Sequence, residues 1–155
     1  MNQPASPDNW TPPFTVGEVL VSPVEFTPES IRQFATQVGD FNPLHHDLAT
    51  AKKSRFGGLI ASGAHTTAMM LGSLAQHVTP RCASLGLECT FRLRRAVPAD
   101  TTVFAEWTVT AVTAKPSWNG HTVALDAVLR RDDVRFITGG MLILVMPTDA
   151  QIPQA

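Results

Sequence analysis

The chain has 155 residues, 44% hydrophobic and 16% charged, with 12 Lys and Arg against 13 Asp and Glu for a formal charge of −1. That is one ordinary domain, long enough to bury roughly 70% of its unfolded surface. It is too neutral for a basic nucleic-acid face and too apolar for a disordered tail. No apolar run reaches the ~18 residues of a membrane span, and no signal-peptide pattern opens the sequence. Cys82 and Cys89 fit neither a zinc ladder nor a disulfide framework. A soluble protein of the reducing cytoplasm is expected, and the low charge fraction points to a surface partly covered by a partner.

Residues 1–13 hold four of the twelve prolines and read as an extended arm. Phe14–Val21 reads as a short strand. Thr27-Pro28-Glu29 then opens a helix, with Thr27 as cap, Pro28 at the first helical position and Glu29 complementing the dipole. Ile31, Phe34, Ala35 and Val38 give it an apolar face, and Gly39 stops it. A polar turn, Asp40–Asp47, follows; Asp47 is placed to cap a short helix through Lys53, stopped at Gly57-Gly58.

From about Gly63 to His77 the chain reads as a buried helix apolar on most sides, with a stripe of Ala64, Ala68, Leu71, Ala75 and Val78 widened by Met69, Met70 and Leu74. After Pro80 the period becomes alternating. Leu85, Leu87, Cys89, Phe91 and Leu93 fall on one face of a strand, and Ser84, Glu88, Thr90, Arg92 and Arg94 on the other. Strands through Val103–Ala111, Val123–Leu129 and Arg135–Met146 follow, separated by turns at Pro98-Ala99-Asp100, Lys115–Gly120 and Arg131-Asp132-Asp133. Four such strands joined in succession predict an antiparallel meander, and with the buried helix an α+β fold. Domain limits follow: the arm, one domain over 14–148, and a tail over 149–155.

Asp40 and His45 are the residues with most chemical promise. Asn42 is pushed out of helical geometry by Pro43, so the segment between them is a bent loop. It can turn a carboxylate and an imidazole toward one water, with the histidine poised near neutrality. The run Phe56–Gly63 leads into the buried helix, whose first free amides, notably that of Gly63, suit a developing oxyanion.

Asp40-Phe41-Asn42-Pro43-Leu44-His45-His46-Asp47, with Gly39 before it and Ile60-Ala61-Ser62-Gly63 after it, resembles the hydratase motif of the MaoC-like family. That family contains the (R)-specific enoyl-CoA hydratases and has the hot-dog fold, an antiparallel sheet wrapped round a central helix. The resemblance runs from about Thr15 to Met146. It implies that Asp40 and His45 bind and activate one water, which adds reversibly to a trans-2-enoyl thioester to give the (R)-3-hydroxyacyl thioester. It also implies no metal or redox cofactor, an acyl-CoA as substrate and a homodimer as the smallest assembly. Gly63 would hold the thioester carbonyl, and Asn42 would shape the loop.

Ser62 stands where many of these hydratases carry His, and His65 two places after Gly63 is a candidate for a substrate-side role or for a satisfied helix-face histidine. His46 beside His45 and Asp47 is more economically a loop residue than a metal ligand. Arg92, Arg94, Arg95, Lys52, Lys53 and Arg55 are candidate partners for CoA phosphates. Trp107 and Trp118 read as packing residues, and His77 and His121 show no partner in the sequence. Two rival functions remain. A hot-dog acyl-CoA thioesterase would need a carboxylate on the central helix, and residues 63–78 contain none. A non-catalytic acyl-CoA-binding or structural subunit would have no need of both Asp40 and His45.

Overall fold

The computed structural model describes residues 10–148; most of the arm and all of the tail inferred from sequence lie outside them. Five strands form one antiparallel sheet: β1 (Val19–Phe26), β2 (Ala83–Leu93), β3 (Thr101–Lys115), β4 (Gly120–Arg131) and β5 (Val134–Met146). Four α-helices lie between β1 and β2: α1 (Pro28–Gln37), α2 (Pro43–His46), α3 (Leu48–Lys53) and α4 (Gly63–Val78). Across the sheet the order is β1-β3-β4-β5-β2. Helix α4 touches both β1 and β2, which are the two edges, as well as β3. A sheet can meet one helix with both its edges only by curling round it, and this is the hot-dog arrangement.

The core follows from strand alternation. In β3, Val103, Ala105, Trp107 and Val109 are all buried, as a period of two requires when one face is covered. Trp107 lies inside and donates its indole N–H to Ser73 Oγ of α4 at 2.9 Å, which satisfies the one polar atom that so large a side chain brings into the core. Trp118, on the β3–β4 connection, is 41% exposed.

Four expectations require correction. The first strand is Val19–Phe26 instead of Phe14–Val21; Phe14 is buried ahead of it. Only β3, β4 and β5 form a meander, because β2 pairs with the far side of β5 and not with β3. The uniform alternation of β2 is broken at a bulge between Gly86 and Glu88: Gly86 pairs with Ile143, Cys89 with Met141 and Leu85 with Leu144. Leu85 therefore lies on the opposite face from Cys89 and Phe91, as one extra residue in a strand must produce. In α4 the buried residues are His65, Thr66, Met70, Ser73, Leu74 and Val78, while Ala64 and Ala75 are exposed and Ala68 and Leu71 half-buried. Met70, Leu74 and Val78 are buried as expected, but only one side of α4 faces its own sheet, so Ala64 and Ala75 of the stripe are left at the surface.

Local signals are realised closely. Thr27 caps α1 with a capping box completed by Ser30. Gly39 takes the left-handed conformation, φ 74°, that ends α1 and turns the chain toward Asp40.

Candidate active site

The segment expected to be a plain turn contains the one-turn helix α2. Asn42 Oδ1 accepts the Leu44 N–H at 3.1 Å and Pro43 occupies the first helical position, a combination that starts a helix where the sequence offers no apolar periodicity. Asp47 closes α2 and caps α3, accepting from the amides of Ala49 and Thr50 and from the Thr50 hydroxyl. The Thr50 hydroxyl first, then these amides, hold the Asp47 carboxyl below its ordinary range.

Helix α2 directs His45 inward. The residue is 5% exposed. Its Nδ1 lies 2.8 Å from the Ile60 carbonyl, and a carbonyl only accepts, so Nδ1 carries a hydrogen. In the neutral ring that leaves Nε2 with its lone pair free. Nε2 lies 3.4 Å from Asp40 Oδ2, beyond an ordinary direct N–H···O bond. Asp40 Oδ1 accepts the Asn42 amide at 3.1 Å, which leaves Oδ2 available.

Ile60 couples this loop to α4. Its amide donates to Leu44 O at 3.2 Å, its carbonyl accepts from His45, and the neighbouring Ala61 amide donates to Val97 O at 2.9 Å. Two residues later α4 begins. Ser62, 2% exposed, caps it by accepting the His65 amide at 3.1 Å. Gly63 is then the first helical residue, with an amide that has no intrahelical acceptor.

A cleft of about 610 Å³ runs past these groups. His45, Gly63 and Thr66 line it, together with Arg55, Arg94, Arg95 and Arg131, and no Asp or Glu does. Arg94 and Arg95 are held there by their own amides, which donate to Phe136 O at 2.8 and 3.3 Å. Arg94 Nε also donates to Thr138 Oγ1 at 3.1 Å. Arg55 lies over the Phe56 ring, 4.9 Å from its centroid.

The other residues singled out by sequence are distributed as follows. Asp40, Asn42 and Ser62 do not line the cleft; Asp40 reaches it through His45, Asn42 shapes the loop, and Ser62 caps the helix. His65 does not line it either. Its imidazole stacks on Phe34 at 4.5 Å and meets the edge of Phe26 at 5.0 Å, and burial pushes its pKa down. A substrate-side role for His65 is therefore set aside, because its ring points into the α1–β1 packing. His46 donates from Nε2 to Asp40 O at 2.7 Å. Arg92, Lys52 and Lys53 do not line the cleft. His77 pairs with Ser22 Oγ at 2.9 Å, and His121 lies beside Trp10, their ring centroids 5.8 Å apart.

Sequence reasoning missed the Ile60 carbonyl, Thr66 and Arg131. The first is a backbone atom that any residue supplies, and the last looks like ordinary turn charge beside Asp132 and Asp133.

A family model for the MaoC like domain matches residues 14–130. No curated protein matches the chain. Among solved structures it is similar to the (R)-hydratase from A. caviae involved in PHA biosynthesis, at 25% identity and TM-score 0.75, over 84% of this chain and 96% of that one. R-hydratase PhaJ1 from Pseudomonas aeruginosa shares the fold at 22% identity and TM-score 0.76, with 92% of each chain covered. So does the HadBC (3R-hydroxyacyl-ACP dehydratase) complex from Mycobacterium tuberculosis, at 14% identity and TM-score 0.68, covering 83% of this chain and 96% of that one. With the family model spanning well over half of its length, the chain belongs to the MaoC-like dehydratase family.

Proposed function

We propose that the protein is a hydratase/dehydratase that adds water reversibly to a trans-2-enoyl thioester, giving the (R)-3-hydroxyacyl thioester. The observation that carries this reading is the pairing of His45 Nε2 with Asp40 Oδ2 at 3.4 Å, beside a cleft that the first residue of α4 also lines. Two acceptors at that separation are satisfied together by one water that donates a hydrogen to each. As the water oxygen bonds to C3, His45 Nε2 takes its proton, and the π electrons move to place negative charge on the thioester oxygen. Gly63 N–H at the positive end of α4 stabilises that charge. The proton is then returned to C2, so that H and OH are added and nothing is oxidised or reduced. The site residues perform this without a metal or redox cofactor.

The arginines support coenzyme A as the handle. A CoA thioester carries a pyrophosphate and a 3′-phosphate, whereas a carrier-bound phosphopantetheine carries a single phosphodiester. A cleft with four arginines and no carboxylate matches the more highly charged group. A thioesterase reading is disfavoured because α4 bears no Asp or Glu. The partly exposed Ala64/Ala68/Leu71/Ala75 stripe and the exposed edge strand β2, with Leu87 and Leu93 at 40% and 56% exposure, support a second copy as the covering partner.

The test is loss of enoyl absorbance with trans-2-enoyl thioesters of increasing chain length, each presented on CoA and on a carrier protein, with chiral analysis of the product. Turnover of CoA substrates to the (R)-alcohol is expected. An absence of turnover at every chain length and on both handles overturns the reading.

A further inference from the structure

A water-holding pair works only if its separation is fixed, yet the Asp40 side chain is 37% exposed and sits in a bend between helices. Its hydrogen-bonding groups show what fixes it. The Asp40 amide donates to Ala35 O at 2.8 Å, and Oδ1 accepts from the Asn42 amide at 3.1 Å. Both bonds are local, of the kind found wherever a helix ends in an Asx turn. The third is not. The Asp40 carbonyl accepts from His46 Nε2 at 2.7 Å, from a side chain six residues on. That bond closes the loop into a ring, and only Oδ2 is left to face His45.

His46 is itself anchored. Its carbonyl accepts from Arg32 Nε of α1 at 3.0 Å, and the Phe41 ring lies alongside, 6.0 Å between centroids. Helix α2 is a single turn, far too short to hold its shape alone, so its orientation against α1 depends on such cross-links. Successive residues on a helix point about 100° apart. His45 can thus enter the cleft while His46 turns back to the Asp40 backbone. The adjacent histidines divide the work: one faces the substrate, the other faces the loop.

We propose that His46 is a positioning residue: its Nε2–H bond to the Asp40 carbonyl sets the Asp40 carboxylate opposite His45 Nε2. It does not line the cleft and acts on turnover through Asp40. The inference rests on the hydratase reading for its kinetic consequence, and on geometry alone for its effect on the pair.

Three substitutions at this position test it. A glutamine amide reaches about as far as Nε2, whereas an asparagine amide reaches only as far as Nδ1. H46A and H46N are expected to lower kcat about 10- to 100-fold with KM little changed, the cost of a small misplacement. H46Q is expected to recover kcat to within about threefold of wild type. NMR titration of the His45 imidazole supplies a readout that needs no substrate: it should move in H46A and H46N and match wild type in H46Q. Wild-type kcat in H46A, equal behaviour of H46N and H46Q, or an unmoved His45 titration in all three overturns the proposal. If H46A fails to fold, the Gln–Asn comparison decides. If wild-type protein turns over no enoyl thioester, the hydratase reading fails, and the NMR comparison still decides the role of His46.

Discussion

Helix α4 has a histidine pair at each end. At its N-terminus His45 meets Asp40; in its last turn His77 meets Ser22 of β1. By composition the second pair is the more suggestive, since a serine hydroxyl 2.9 Å from an imidazole is the beginning of a nucleophile and its base. Their surroundings separate them. The N-terminal pair adjoins a cleft lined by Gly63 and four arginines, at the helix end that attracts negative charge. Ser22 is buried, and neither it nor His77 lines that cleft. A histidine in the last turn of a helix complements the negative pole there, which is a structural use. The difference teaches that a reactive pair acquires a function from the electrostatic field and space beside it.

The contrast can be broken in graded steps. Removing the base should have the largest effect: H45Q is expected to lower kcat by about 10²–10⁴-fold, read from enoyl absorbance. Next is the oxyanion donor. G63P deletes one N–H at a position where proline suits a helix, after a residue already extended at φ −66° and ψ 156°. A Cβ there meets only Leu93 Cδ1, at 2.7 Å, the end of a flexible side chain. A loss of about 10²–10³-fold in kcat is expected, with thermal unfolding showing that the fold survives. Smaller again, R94A and R95A should each raise KM for CoA substrates about 10-fold, the worth of a charge-assisted hydrogen bond. Added salt should shrink that difference.

The smallest effect concerns stability. His65 is buried between Phe26 and Phe34, and its pKa is lowered from the ordinary 6.5. The unfolded chain therefore binds more protons than the fold as pH drops below that value, so acidification should destabilise the protein. The melting temperature of wild type is expected to fall between about pH 7 and about pH 5 more steeply than that of H65L. Parallel curves would show that His65 does not contribute.

What could be read from the sequence divides along the same line between local and distant. Thr27-Pro28, Gly39, Asn42-Pro43 and the Ser62 cap act within a few residues, so their chemistry is visible in the string. The place of β2 beside β5 is not, because a strand edge chooses its partner through the whole sheet, and the bulge at Leu87 appears only against that partner. The buried side of α4 is only partly legible, through Met70, Leu74 and Val78, because both sides are apolar and only the sheet distinguishes them. Asp40 and His45, the proposed catalytic pair, stand out through a long motif. The contacts that hold them are less visible: Ile60 acts through a backbone carbonyl, and His46, bonded to the Asp40 carbonyl, looks like a repeat of its neighbour.

The proposed function assigns the chemistry to the Asp40–His45 pair and none of it to the Ser22–His77 pair. Steady-state hydration of the best trans-2-enoyl-CoA by D40N and by S22A, side by side, tests it most directly. D40N is expected to lose about 10²–10⁴-fold in kcat, while S22A keeps wild-type kcat and loses about 1 kcal/mol of stability with its hydrogen bond. Wild-type kcat in D40N, or a collapse of kcat in S22A, would overturn that assignment.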